Sequence, residues 1–205
     1  MAEQGLFQNQ SGGSIPTSPL QYLIKTIITK IAVKFIKEHH YSHTCPAGTY
    51  RFGLYDGIDL IGVAVFGQVI GRFQAQYYYP KNPDKLIELR RLCCIDDTPK
   101  NTESRFIGYC LRWLKKNTEY EAVLSLADQN YGHKGIIYQA TNFKKVGYDQ
   151  DKRDRIFIDD IERHPRDLYD KDGSSGVKHL KRIYGDRIMF KKKIPKIVYL
   201  YLLNS

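Results

Sequence analysis

Ser125-Leu126-Ala127-Asp128-Gln129-Asn130-Tyr131-Gly132-His133-Lys134-Gly135-Ile136-Ile137-Tyr138-Gln139-Ala140 is the stretch on which the fold turns. From Glu121 to Ala127 the chain is apolar and of strand length, and it stops at Asp128. A glycine-bearing loop follows, and Lys134 to Asn142 reads as a short helix carrying Tyr138. The carboxyl end of a strand, passing through a loop into a helix, is where open α/β sheets place ligands. Each residue has an ordinary explanation: Asp128 as a turn cap, Tyr138 as a core side chain with a satisfied hydroxyl, His133 as an exposed loop residue. A bland account has to cover all three at once.

Working outward, Tyr22, Ile24 and Thr26 alternate as a first strand does, and Ile28, Ile31, Ala32, Phe35 and Ile36 recur at helical spacing. Thr49 to Tyr55 and Leu60 to Phe66 form a hairpin pattern, with Asp56-Gly57 as turn chemistry. A strand spans about Leu86 to Ile95, and Phe106, Ile107, Cys110, Leu111 and Leu114 line one face of a helix. Lys145 to Tyr148 begins another strand. The predicted order β-α-β-β-β-α-β-α-β describes an α/β protein with a mixed central sheet flanked by helices. Residues 1–20, rich in Gln, Ser, Gly and Pro, read as a flexible lead, 21–150 as the catalytic domain, and 151–205 as a basic extension in which His164 to Gly176 is loop.

The 205 residues, 42% hydrophobic and 26% charged, suit a globular domain rather than a disordered chain. No apolar run reaches the roughly 18 to 20 residues of a membrane helix, and the expectation is a soluble protein of a reducing cytoplasm, its four cysteines showing no disulfide framework. Net charge is +10, and Lys178 to Lys196 holds eight basic residues against Asp186, or +7 of it. Tyr184, Phe190, Tyr199 and Tyr201 are interleaved there, and cations with aromatics suit phosphate contact and base stacking. Lys178, Lys181, Arg182, Lys191, Lys192 and Lys193 are the candidate nucleic-acid contacts, with a solubilising tail as the plainer alternative.

Two further clusters carry possible chemistry. His39-His40-Tyr41-Ser42-His43-Thr44-Cys45 offers nitrogen, oxygen and sulfur donors where the first helix ends, although histidines at a helix C-terminus also complement its dipole without any other role. If Asp128 and Tyr138 converge on His40, the mixed donor set suits iron better than structural zinc. In an unbroken strand Arg91 shares a face with Ile87, Leu89, Cys93 and Ile95, so an anion or carboxylate partner is expected for it. Pro99 to Arg105 opens a helix whose free N–H groups suit an anion, or are simply capped by Asn101 or Thr102. No serine or cysteine nucleophile stands beside a base.

Taken together, His39-His40-Tyr41-Ser42, Glu88 to Leu92 with Glu103-Ser104-Arg105, and Ala127-Asp128 through Gly132-His133 to Tyr138-Gln139-Ala140 resemble the Mom family of phage DNA-modification proteins, relatives of the GNAT acyltransferases. The resemblance covers about residues 22–150. It implies conversion of adenine in double-stranded DNA to an N6-carbamoylmethyl form that evades host restriction, in the cytoplasm of the infected cell. It also implies that His40, Tyr41, Asp128 and Tyr138 are active-site residues, with Fe(II) as a metal they would hold. Arg91, Ser104 and Arg105 would lie near acetyl-CoA or another acyl or glycyl donor. The chain departs from GNAT enzymes in lacking their Gly-rich pyrophosphate loop before Ser104. Alternatives are an ordinary GNAT N-acetyltransferase acting on a protein or small amine, and a non-enzymatic DNA-binding protein in which His40, Asp128 and Tyr138 fail to converge.

Overall fold

A computed structural model describes residues 18–70, 72–151 and 153–204, so the expected lead at 1–20 lies almost wholly outside the described residues. The order is β1 (Leu23–Thr26), α1 (Thr29–His39), β2 (Tyr50–Asp56), β3 (Asp59–Gln68), α2 (Arg72–Tyr78), β4 (Leu86–Cys94), α3 (Thr102–Asn117), β5 (Ala122–Ala127), α4 (Ile136–Ala140) and β6 (Lys144–Tyr148). There follow β7 (Arg155–Ile158), β8 (Ile161–Arg163), α5 (Pro165–Asp172), α6 (Val177–Tyr184), β9 (Ile188–Lys191) and β10 (Ile197–Leu202). Through β6 this is the expected order with one unforeseen helix, α2.

Seven strands form a mixed sheet in the order β1-β2-β3-β4-β5-β10-β6. Only β4 and β5 are parallel neighbours, and the other adjacent pairs are antiparallel. Strand alternation splits the apolar residues between two faces. Phe106, Ile107, Cys110 and Leu114 of α3 cover one face, packing on Phe66, Ile87 and Leu89. Ala32, Phe35 and Ile36 of α1 cover Val63 and Val65 on the other. Two residues expected in the α1 core, Ile28 and Ile31, are exposed, because α1 begins only after Ile28 and its buried stripe runs through Ala32, Phe35 and Ile36.

Two features shape the site. First, β3 and β4 slip register: Val65 pairs with Arg91 and Phe66 with Leu89, leaving Arg90 as an extra residue. This bulge puts Arg91 on the α1 face with Val65, opposite Leu89, and so corrects the expectation of an unbroken strand. Second, β4 and β5 pair only from Leu86↔Ala122 to Leu89↔Ser125, after which both strands continue unpaired with each other. The sheet opens there.

Past residue 150 the chain differs from the expected loop and tail. β8-β7-β9 make a second, three-stranded sheet whose inner face, Ile156, Ile158, Ile188 and Phe190, packs on Leu168 of α5 and Leu180 of α6. The segment read as loop holds α5, whose N-cap His164 accepts at Nδ1 from the Arg166 N–H, with Pro165 at its first position and Gly173 (φ 75°) ending it. β10 then returns to the main sheet between β5 and β6, so a boundary at 150 cuts the large sheet. β7 to β9 are better described as an excursion between β6 and β10.

Candidate active site

The gap between β4 and β5 opens into a cavity of about 760 Å³, a size suited to small-molecule chemistry. His40, Tyr41, Arg91, Asp128 and Tyr138 all line it, and so do Glu88 and Lys196, which sequence reasoning had not placed in a site. Ser104 and Arg105 are not among its lining. Ser104 donates to the Asn101 carbonyl at 3.0 Å and Arg105 to that of Leu20 at 3.4 Å.

α1 ends at His39, and the His40 N–H still caps the Ile36 carbonyl at 3.0 Å. The His40 ring is buried, and its Nδ1 accepts from the Ser42 N–H at 3.1 Å, with the Ser42 hydroxyl at 2.8 Å. Acceptance at Nδ1 leaves the proton of the neutral ring on Nε2. Burial, with Arg91 and then His133 and His43 nearby, lowers the His40 pKa to about 4. It is neutral at physiological pH. Arg91, expected to meet an anion or a carboxylate, lines the cavity and donates to the Thr44 carbonyl at 3.1 Å and the Arg90 carbonyl at 2.8 Å. The bulge at Arg90 turned it toward the loop after α1, and there it pins the chain that carries His40 and Tyr41.

Asp128 does both things the sequence suggested: it caps the turn, accepting from the Asn130 N–H at 3.1 Å, and it lines the cavity. Burial alone would raise its carboxyl, but the Asn130 amide at 2.9 Å and the Lys196 ammonium at 2.9 Å hold it below its ordinary value. Glu88 goes the other way: burial raises its carboxyl, and Arg90, the Ile70 backbone, Lys196 and Arg91 only partly offset this. Two carboxyl groups of unequal acidity thus line one cavity.

Tyr138 is buried, and burial lifts its phenol above the ordinary value. The Ser125 side chain opposes that rise, although its hydroxyl makes no hydrogen bond of ordinary geometry. Tyr199 of β10 braces the loop before α4, donating to the Lys134 carbonyl at 2.9 Å and accepting from Gln139 at 3.1 Å. Gly135 (φ 72°) lies so close to that ring that an added Cβ would stand 2.3 Å from it.

The donor set does not fit an iron site. His40 Nε2 carries its proton because Nδ1 is occupied, whereas a ligating imidazole presents a bare nitrogen and donates from the other. Asp128 is held by Lys196 and Asn130. Among the described residues no three His, Cys, Asp or Glu side chains are placed to hold a metal ion. The cysteines are free thiols, and burial pushes all four upward, Cys93 to about 11.

The expected nucleic-acid contacts part company. Lys178, Lys181 and Arg182 are exposed on α6, and Lys191 and Lys192 at the end of β9. Lys193 is half-buried, its ammonium in a clasp with Asp151 and Asp149 at the base of the β7–β9 excursion. No helix of the described residues is long and apolar enough to cross a membrane.

The sequence model of the Mom protein family matches residues 21–205. The methylcarbamoylase Mom of Escherichia phage Mu is 32% identical over 127 residues, 60% of this chain and 53% of that protein, so the chain spans about half the length of the curated relative it matches. Among solved structures, a spermidine/spermine N-acetyltransferase of Vibrio cholerae in complex with manganese ions aligns with a TM-score of 0.53 at 9% identity, covering 91% of this chain and 95% of the other. A ribosomal-protein-S5-alanine acetyltransferase of Vibrio fischeri aligns at 0.53 and 10%, covering 90% and 94%. At such identity the likeness concerns the fold alone, and that fold is the mixed sheet of the GNAT acetyltransferases.

Proposed function

The chain belongs to the Mom protein family, and from that premise we propose that it is a transferase that converts adenine in double-stranded DNA to N6-carbamoylmethyladenine, a phage modification that shields DNA from restriction in the host cytoplasm. The observation that carries this reading is the arrival of His40, Tyr41, Asp128 and Tyr138, from three separate parts of the chain, at one cavity. A non-enzymatic protein with a degenerate fold has no need of that convergence.

The adenine N6 lone pair is delocalised into its ring, so the amine has to lose a proton as the new N–C bond forms. Glu88, raised by burial, is the group suited to take it, since a base works best with a pKa near the operating pH. Asp128 is too well stabilised as a carboxylate for that task. It supplies a fixed negative charge, held by Lys196, in the wall of the cavity. Tyr138 keeps its proton at neutral pH and is suited to donate it to the leaving group. His40, neutral with its proton on Nε2, is a hydrogen-bond donor rather than a base.

A CoA-type donor fits the gap in one respect. Arg90 to Cys94 have no strand partner on the β5 side, and an extended arm can pair with such an edge. An acyl thioester alone would leave an N6-acyl amide, so the carbamoylmethyl product requires a donor of the CH2–C(=O)NH2 group, whose departing group would take the Tyr138 proton. Asp96 and Glu103, which also line the cavity, are acidic, and no glycine-rich cradle for phosphates precedes α3.

Lys178, Lys181, Arg182, Lys191 and Lys192 are assigned to DNA phosphates, and duplex binding should weaken steeply with salt. The test is expression in a bacterial host followed by nucleoside mass measurement. N6-carbamoylmethyl-2′-deoxyadenosine in host DNA is expected. Unmodified adenine alongside an acetylated protein or polyamine would move the reading to an ordinary N-acetyltransferase.

A further inference from the structure

The outer face of the small sheet is aromatic and cationic, and Arg155, Tyr131 and Tyr41 join it to the cavity. β7 turns Ile156 and Ile158 inward, leaving Arg155 and Phe157 on the other side. Register pairs Phe157 with Met189, and Arg155 with Lys191. The Lys191 ammonium lies 4.4 Å from the Phe157 ring centroid, and the Arg155 guanidinium 5.1 Å from it on the same strand. Arg155 also lies 5.4 Å from the Tyr131 ring, whose hydroxyl donates to Glu162 of β8. Tyr131 is 4.3 Å from Tyr41, and Tyr41 is 4.2 Å from His40. Rings and cations thus run from the cavity over Tyr41 and Tyr131, through Arg155, to the half-buried Phe157.

This surface is too polar for a core and too aromatic for solvent. Tyr41 and Tyr131 are each 44% exposed and Met189 46%. Arg155 is balanced by Glu162, but Lys191 has no ion-pair partner among the described residues. A paired duplex keeps its bases stacked inside and offers little to flat ring faces, whereas an unstacked strand offers both bases and phosphates. The charge of the chain, +10, is of the sign such a strand requires.

Resting on the DNA-modification reading, we infer that Phe157, Met189 and Lys191, with Tyr131 and Tyr41, bind an unpaired stretch of polynucleotide and lead its bases from the small sheet into the cavity. An enzyme that acts on the exocyclic amine of adenine has to hold the base out of the stack. The β7–β9 excursion supplies the platform on which the opened strand rests. No group transfer occurs there.

The test is fluorescence anisotropy with a labelled oligonucleotide, single-stranded or annealed, for the full chain and for F157L and K191Q. Both side chains lie on the outer face, and melting curves verify folding. F157L is expected to weaken single-strand binding about 10-fold, the scale of one lost stacking partner. K191Q should lower the single-strand salt slope by about 0.7, the loss of one phosphate contact. Wild-type single-strand affinity in F157L or a wild-type single-strand salt slope in K191Q overturns the inference, as does equal weakening of duplex and single strand by F157L. Nucleoside masses from the expression host separate the two readings. Modified adenine with an unaffected F157L leaves the enzyme and removes the platform, while selective loss of single-strand binding without modified adenine keeps the platform and removes the proposed reaction.

Discussion

Lys196 Nζ stands 2.9 Å from Oδ2 of Asp128, joining the residue just before β10 to the residue just after β5. Ile197 pairs with Ala127, so the contact extends the strand register by one step. Truncating this lysine strands a buried carboxylate. Lys196→Met is expected to raise the Asp128 pKa, because burial then acts with less opposition, and to lower stability by about 1–2 kcal/mol. Activity should fall at least about 10-fold, and Lys196→Arg should restore most of it. Thermal melts and carboxyl NMR check the first two, and an unchanged Asp128 titration in the methionine variant refutes the pairing.

Glu88→Gln removes the proposed base while keeping its shape. Modification should drop by about 10²- to 10⁴-fold, with stability unchanged or slightly higher, since a desolvated charge is lost. In the native enzyme the acid limb of the rate profile should lie above the ordinary carboxylate range, as Glu88 has to ionise first. Full activity in this variant would falsify the role.

The His40 pKa of about 4 has a stability consequence of definite sign. As pH falls below 6.5 the unfolded chain takes up a proton here, whereas the folded chain refuses it until about 4. Stability is therefore lost on acidification across that window, on the order of 2 kcal/mol for this one group. Denaturant melts from pH 7 to 4 should show a shallower loss in His40→Gln. Imidazole nitrogen shifts should report the Nε2–H tautomer at pH 7, and adding Fe(II) should leave them in place.

Gly135→Ala puts a methyl group where the Tyr199 ring lies, at a left-handed backbone angle that alanine disfavours. A loss of about 2 kcal/mol or more is expected, with activity reduced beyond what unfolding explains because Tyr199 anchors the loop before Tyr138. Equal melting temperatures for variant and parent count against the close approach.

The main sheet was legible because its strands and helices bury single faces with clean periods, as in α3, where Phe106, Ile107, Cys110, Leu111 and Leu114 are all buried. His40, Tyr41 and Asp128 were legible as candidates because each sits just beyond the end of such an element, and Tyr138 because it lies in the short helix after the glycine-bearing loop. Arg91 was misplaced because a bulge is one inserted residue that leaves no trace in hydrophobic alternation. Glu88 and Lys196 were missed for a different reason. Their role comes from where β4 and β5 part and from β10 crossing back, and both are long-range pairings. α5 was misread as loop although His164-Pro165 and Gly173 are ordinary start and stop signals. With Leu168 as its sole buried residue, it has too little apolar pattern to announce a helix.

β5 and β6 never touch, since β10 lies between them. During synthesis both strands therefore leave the ribosome with an open edge that only a segment emerging after the entire small sheet can cover. At roughly 5–20 residues per second, the nascent chain exposes that gap for several seconds. Through that interval the Asp128 end of the site has no Lys196 beside it, and the half-built sheet is a target for chaperones and for strand exchange between neighbouring chains.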